Sequence, residues 1–136
     1  MNILKIRTSN RIKGDIGEKA ARKLLRKKGF KILEKNYVAL DAEIDIIAKS
    51  SEYYVFCEVK TRTKKPCEEL DRRPASAVTP DKQKKIISAA KYYLSTKCDG
   101  RKARFDIVEV LIDEGGKILE TCHIESAFNL NTARGR

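Results

Sequence analysis

Asp41-Ala42-Glu43-Ile44-Asp45-Ile46-Ile47-Ala48 and, after a short polar break, Tyr53-Tyr54-Val55-Phe56-Cys57-Glu58-Val59-Lys60-Thr61 are the two runs on which the fold turns. Both are dense in β-branched and aromatic residues, and the break Lys49-Ser50-Ser51-Glu52 has the polarity of a turn. Successive side chains of a strand point to opposite faces. Asp41, Glu43 and Asp45 are therefore expected on one face of the first run, with Ile44 and Ile46 on the other. In the second run Tyr54, Phe56, Glu58 and Lys60 share a face, opposite Val55, Cys57 and Val59. Glu58 and Lys60 thus stand at the end of an apolar run that belongs in mid-sheet, where a charged group is expensive unless paired or metal-bound. If the two strands form a hairpin, Asp45 and Glu58 approach each other, and facing like charges require a cation between them.

Outward from these runs the pattern is regular. Phe30 to Val38 reads as a preceding strand, turned at Asn36-Tyr37, so the first three strands suggest an antiparallel meander. Ahead of it, Ile16, Ala20, Ala21, Leu24 and Leu25 recur at helical spacing. Asp15 is the expected N-cap of that helix, with Glu18 three residues later and Gly29 as its stop. A second helix is expected from Pro80 to about Lys97, through Ile86, Ile87, Ala90 and Leu94. Two further strands, Ala103 to Asp113 and Lys117 to Ile124, flank the turn Glu114-Gly115-Gly116. The order α-β-β-β-α-β-β is that of an α/β domain, a central sheet flanked by helices. One domain over 1–136 is expected, with flexible ends at 1–12 and 126–136 and a long basic loop at 62–79 that has no apolar period.

The chain has 136 residues, with 30 Lys and Arg against 19 Asp and Glu, a formal charge of +11. No apolar run approaches the roughly 18 residues of a membrane span, and the basic start lacks a signal peptide's apolar core. A soluble, cytoplasmic protein is expected. Cys57, Cys67, Cys98 and Cys122 form no C-x-x-C pair, and His123 is the single histidine, so reduced thiols are expected rather than a zinc site. The charge is unevenly spread. Residues 1–35 carry 12 basic and 3 acidic side chains, whereas 41–58 carry one lysine against five carboxylates. A basic surface fits a phosphate-backbone partner, and the acidic island inside it invites a divalent ion.

An Asp followed thirteen residues later by Glu-x-Lys has the parts for metal-dependent phosphodiester cleavage. Two carboxylates, Asp45 and Glu58, suit Mg²⁺ or Mn²⁺; the ion activates water, and Lys60 can position it and offset developing charge. Glu18 could add a water-mediated contact. Lys82, Lys84 and Lys85 at the start of the second helix, and Arg62, are candidate phosphate contacts. Bland readings stand beside these. Glu58 and Lys60 also fit a structural ion pair, Glu18 a capping-box partner of Asp15, and Lys82 to Lys85 a solvated face. Glu43 is better suited to supporting the ligands from behind, or to salt-bridging, than to ligation. Asp106 can answer Arg104 or Lys102.

Taken together, Gly14-x-x-Gly17-Glu18-x-x-Ala21, Gly29-Phe30, Glu43-Ile44-Asp45, Phe56-Cys57-Glu58-Val59-Lys60-Thr61-Arg62, Lys82 opening a helix to Tyr93-Leu94, and Arg104-Phe105-Asp106 resemble the YraN family of bacterial proteins. That family is similar in fold to restriction endonucleases of the PD-(D/E)xK superfamily and to archaeal Holliday-junction resolvases. The resemblance spans about residues 10 to 125 and departs at Ala42, where the family usually has glycine. It implies a restriction-endonuclease-like mixed sheet and a Mg²⁺ or Mn²⁺ site. Asp45, Glu58 and the Val59 carbonyl would be its ligands, Lys60 the catalytic lysine and Glu18 the first-helix carboxylate. The function it implies is a metal-dependent endonuclease acting on DNA, with a taste for branched forms and a homodimer as working unit. The rival is a non-catalytic nucleic-acid-binding protein that uses the same fold for docking.

Overall fold

A computed structural model describes residues 3–64 and 78–129, with side chains described from Asn10 onward. Its elements run α1 (Ile3–Lys27), β1 (Lys31–Ala39), β2 (Ala42–Lys49), β3 (Tyr53–Thr63), α2 (Pro80–Leu94), β4 (Lys102–Ile112) and β5 (Ile118–Phe128). The expected order is the one observed. Five strands form one sheet in the order β1-β2-β3-β4-β5, antiparallel except for the parallel pair β3–β4. A parallel step needs a long crossover, and the segment that contains α2 provides it.

Each sheet face is closed by one helix. Ile86, Ile87, Ala89 and Ala90 of α2 pack with Ile44, Ile47, Tyr54 and Phe56. On the opposite face Ala21 and Leu25 of α1 pack with Ile46, Ala48, Cys57, Val108 and Val110. The alternation expected in β3 is present, with Phe56 under α2 and Cys57 under α1. In β2 it breaks. Ile44 lies under α2 and Ile46 under α1, so the two do not share a face. The break coincides with the point where β2 leaves β3: their ladder runs from Lys49–Tyr54 only to Ile46–Cys57. The β1–β2 ladder carries on to Ala39–Ala42.

Three local expectations need correction. The first helix starts at Ile3, not at Asp15, and residues 3–12 are helical. Gly14 costs a helix interior only about 1 kcal/mol relative to Ala, too little by itself to stop a helix. Asp15 is therefore no N-cap, and the capping-box explanation for Glu18 lapses. Asn36-Tyr37 is not the first turn. Asn36 adopts φ 51 within β1, and the chain reverses at Leu40-Asp41, with Leu40 at φ 56. The last strand continues to Phe128, beyond the expected Ile124. Of the expected 62–79 loop, Arg62 and Thr63 extend β3, and Thr79 caps α2 by accepting from the Lys82 amide at 3.2 Å. Residues 65–77, Cys67 among them, lie outside the described residues, as does the tail from 130. No described helix is long and apolar enough to cross a membrane.

Candidate metal centre

Asp45 and Glu58 meet at the fork where β2 and β3 part, and both line the two clefts that open there. One cleft, of about 420 Å³, is walled on the α1 side by Lys13, Gly14 and Glu18. The other, of about 480 Å³, is walled on the α2 side by Thr79, Lys82 and Lys85. A strand fork between two helices is a local consequence of sequence. The acidic Glu43 and Asp45 cannot continue the apolar packing of Ile46 and Ile47, so the ladder ends with the last buried pair.

The electrostatics of the fork are unusual. Glu58 is 6% exposed, and its Oε1 receives Lys82 Nζ at 2.7 Å and stands 3.6 Å from Lys60 Nζ. Among the described residues Asp45 has no such ion pair: its Oδ2 accepts the Val59 amide at 2.8 Å. Burial, reinforced by the negative charge of Glu58, pushes the Asp45 carboxyl up to about 7, although the Val59 hydrogen bond pulls the other way. Glu18 is also raised, chiefly by burial, with Arg22 opposing and Asp15, Glu43 and Glu58 adding repulsion. Burial works against the Lys82 ammonium, yet the hydrogen bond and charge of Glu58 outweigh it and raise its pKa. The fork thus holds more negative charge than it can comfortably ionise.

Glu18 reaches this site because Gly17 lets α1 approach β3. A Cβ built on Gly17 would run into Thr61 Oγ1, so only glycine fits at that crossing.

The donor set suits a hard, hydrated dication. Among the described residues no three His, Cys, Asp or Glu side chains cluster closely enough to enclose a metal. Mg²⁺ does not ask for such a cage; it takes one or two carboxylates and keeps its waters. Asp45 and Glu58 fit that role, and the excess charge between them is what a dication would relieve.

Of the other expected residues, Lys82 and Lys85 line the α2 wall, whereas Lys84 faces solvent. Arg62 is directed to Glu109, 3.9 Å away. Gln83 is buried and donates to the Val78 carbonyl at 2.8 Å, a structural role. Tyr93 packs edge-on against Tyr37, Tyr54 and Phe56, while Tyr92 is exposed. Glu43 lines both clefts beside Asp45 and Glu58. Lys82 at Glu58 is the contact that sequence reasoning missed, because no spacing links residues 58 and 82.

Asp106 is a second buried carboxylate, and it answers Arg104 as expected. Arg104 Nε and Nη2 donate to its two oxygens at 3.0 and 2.8 Å, and the Ser126 amide donates at 3.0 Å. His123 joins them: its Nε2 is 2.7 Å from Asp106 Oδ2 and its Nδ1 is 2.8 Å from Lys28 Nζ. An ammonium can only donate, so Nδ1 accepts and Nε2 carries the proton toward Asp106. Cys57 is a buried thiol and Cys98 and Cys122 are exposed ones, none of them in a disulfide among the described residues.

The model of the uncharacterised protein family UPF0102 matches residues 17–110, a span that holds Glu18, Asp45, Glu58, Lys60 and Lys82. A UPF0102 protein of Clostridioides difficile is 43% identical over 125 residues, 88% of this chain and 99% of its own. One from Dictyoglomus thermophilum is 40% identical over 122 residues, again 88% of this chain and 99% of the relative. One from Clostridium acetobutylicum is 38% identical, covering 89% of this chain and 97% of the relative.

Proposed function

The chain belongs to the uncharacterised protein family UPF0102, and from that premise we propose that it is a divalent-metal-dependent endonuclease hydrolysing phosphodiester bonds of DNA, branched or otherwise structured DNA in particular. The observation that carries this reading is the pair of carboxylates at the strand fork, Glu58 buried and Asp45 half-buried. Asp45 is pushed up to about 7 by burial and by Glu58, and a dication between the two carboxylates would relieve that repulsion.

Asp45 and Glu58 would hold Mg²⁺ or Mn²⁺, with the Val59 carbonyl as a third donor. A dication held there supplies a more acidic water and takes up charge on the phosphoryl oxygens. Lys60 shares the Glu58 carboxylate and so is kept at the edge of the fork. From that place it orients the attacking water and offsets the charge that grows on the phosphate. Lys82 and Lys85 make the α2 wall cationic and draw in the backbone, while Lys84 and Arg62 add to the outer field. Glu18, raised by burial, is suited to holding a proton or a water at the α1 wall. A four-way junction presents two equivalent strands, and a homodimer with two-fold symmetry would match it.

A specific contact favours the rival, a docking module without catalysis. Lys82 already neutralises Glu58 at 2.7 Å, so the pocket is partly compensated by the chain itself.

The deciding experiment is cleavage of single-stranded, duplex, flap and four-way-junction DNA with Mg²⁺ or Mn²⁺, run with parent, Asp45→Asn and Lys60→Ala proteins. Metal-dependent cutting by the parent is expected. Lys60→Ala should lose about 10²–10³-fold in rate, the usual cost of removing one charge-stabilising group, and Asp45→Asn at least as much. Salt-sensitive DNA binding with no cutting, indifferent to Mg²⁺ and to Asp45→Asn, would favour the docking module.

A further inference from the structure

Beyond the fork, β1 and β2 continue past β3 as a two-stranded arm whose inner residues, Tyr37, Ala39, Ala42 and Ile44, pack with α2. Their ladder continues through Tyr37–Ile44 and Val38–Glu43 to Ala39–Ala42, past the last β2–β3 pair at Ile46–Cys57. The arm ends in the turn Leu40-Asp41. At this tip stand the two most exposed large apolar side chains among the described residues, Val38 at 69% and Leu40 at 66%. A lone exposed apolar residue is ordinary. Here exposure coincides with a second cost, because Leu40 sits in the left-handed region at φ 56. A side chain with a Cβ pays on the order of 1 kcal/mol for that conformation, and Gly or Asn would avoid it. Neither cost is returned by packing, and strain of this kind concentrates where a surface is used.

The position of the tip narrows what it touches. Its base is Asp45, and Glu43 and Asp41 on the arm line the cleft whose opposite wall carries Lys82 and Lys85. Asp81 stands beside those lysines and Lys82 is paired with Glu58, so it is the scissile phosphate held at the fork, on the nuclease reading, that brings a DNA strand along the arm. Asp41, next to Leu40, repels phosphate, so the tip is matched to the uncharged faces of bases. Apolar wedges of this size part stacked bases at low cost where the stack is already interrupted.

We infer that the β1–β2 arm is a structure-reading wedge: Leu40 and Val38 insert against the open base stack at a branch or flap, and so select interrupted DNA over continuous duplex. The inference rests on the nuclease reading and deepens it by naming the part that chooses the substrate. Five residues of extended chain, about 16 Å, separate Leu40 from Asp45. At 3.4 Å per nucleotide of a duplex strand, that places the cut within about five nucleotides of the branch.

The test is fluorescence of 2-aminopurine placed at the branch of a flap, with anisotropy on the flap and on duplex of equal length, in low salt with EDTA. Parent, Leu40→Asn and Val38→Thr proteins are compared. Asn accepts the left-handed conformation and Thr keeps the shape of Val, so both variants should melt no lower than the parent. A severalfold rise in fluorescence is expected with the parent, together with tighter binding of the flap than of duplex. Both effects should fall in each variant while duplex affinity holds. DNA binding without a rise, or a rise that both variants keep, would overturn the wedge and leave the nuclease reading standing. Failure of the parent to bind any DNA would remove both. Self-association without DNA that Leu40→Asn abolishes would overturn the wedge and assign the tip to a second copy of the chain.

Discussion

Asp106 and Asp45 are both carboxylates set into the same sheet, on β4 and β2 with β3 between them, yet they have opposite fates. Asp106, with no exposed surface, is surrounded by Arg104, His123 and the Ser126 amide. Burial would raise it, but those hydrogen bonds and the guanidinium charge win, and it is held below the ordinary carboxylate range. Asp45 is given one amide and a like-charged neighbour, and is raised to about 7. Burial is common to both, so burial cannot be what marks a functional carboxylate. The difference is whether a counter-charge bonds the carboxylate itself: Arg104 bonds Asp106, whereas Lys82, which only lowers Asp45 through its field, is bonded to Glu58. Arg104 is further pinned over the Phe30 and Tyr53 rings, at 5.3 and 5.1 Å, which makes the Asp106 cluster a staple joining α1's end, β4 and β5.

The largest effect is expected on the satisfied side. Asp106→Ala leaves Arg104 and His123 without their partner and should cost about 3 kcal/mol, the usual penalty for breaking a buried pair from one side. Denaturant unfolding would measure it, and a loss under 1 kcal/mol would deny the cluster its structural role. A smaller loss is expected at the contact that brings α1 to the fork. Gly17→Ala forces a methyl against Thr61 and should destabilise by about 2 kcal/mol, as overpacking does. Thr61→Ala in the same chain should recover part of that, whereas simple additivity of the two substitutions would contradict the close contact.

The third expectation concerns pH, and its sign follows from the raised carboxyl. Between the unfolded value of 3.8 and the folded value of about 7, the native state holds a proton that the unfolded chain has released. Without divalent ions, stability attributable to Asp45 is greatest below pH 4. It is lost as pH rises toward 7, at no more than about 1.4 kcal/mol per unit. Asp45→Asn should flatten that slope. Mn²⁺ competes with the same proton, so the rise in melting temperature that it causes should grow from pH 5 to 7 and vanish in Asp45→Asn. A melting temperature indifferent to Mn²⁺ throughout that range would count against the metal centre.

Much of this was legible residue by residue. Strand alternation set Glu58 and Lys60 beside Tyr54 and Phe56 on the α2 side, and the carboxylate pair Asp45–Glu58 was visible as soon as two adjacent runs were read as neighbours. What failed were boundaries and the faces of β2, where Ile44 and Ile46 fall on opposite sides. Asp15 carried a strong N-cap signal, but α1 runs through it, because capping residues act only where the chain stops being helical. Asn36 resembled a turn, yet its positive φ is absorbed inside β1 and the reversal falls on Leu40.

The sequence by itself determined the element order, the two-faced strands and the acidic residues of the fork, because these depend on side-chain periodicity and on neighbours within a few positions. The tertiary structure alone decided that β4 lies parallel beside β3, that Lys82 reaches Glu58 across 24 positions and that His123 completes the Asp106 cluster. Those contacts join residues with no common period, and only the packing of two helices on opposite faces of one sheet selects them. The contrast between a neutralised and a frustrated carboxylate is of the same kind: it depends on which distant cations the fold delivers.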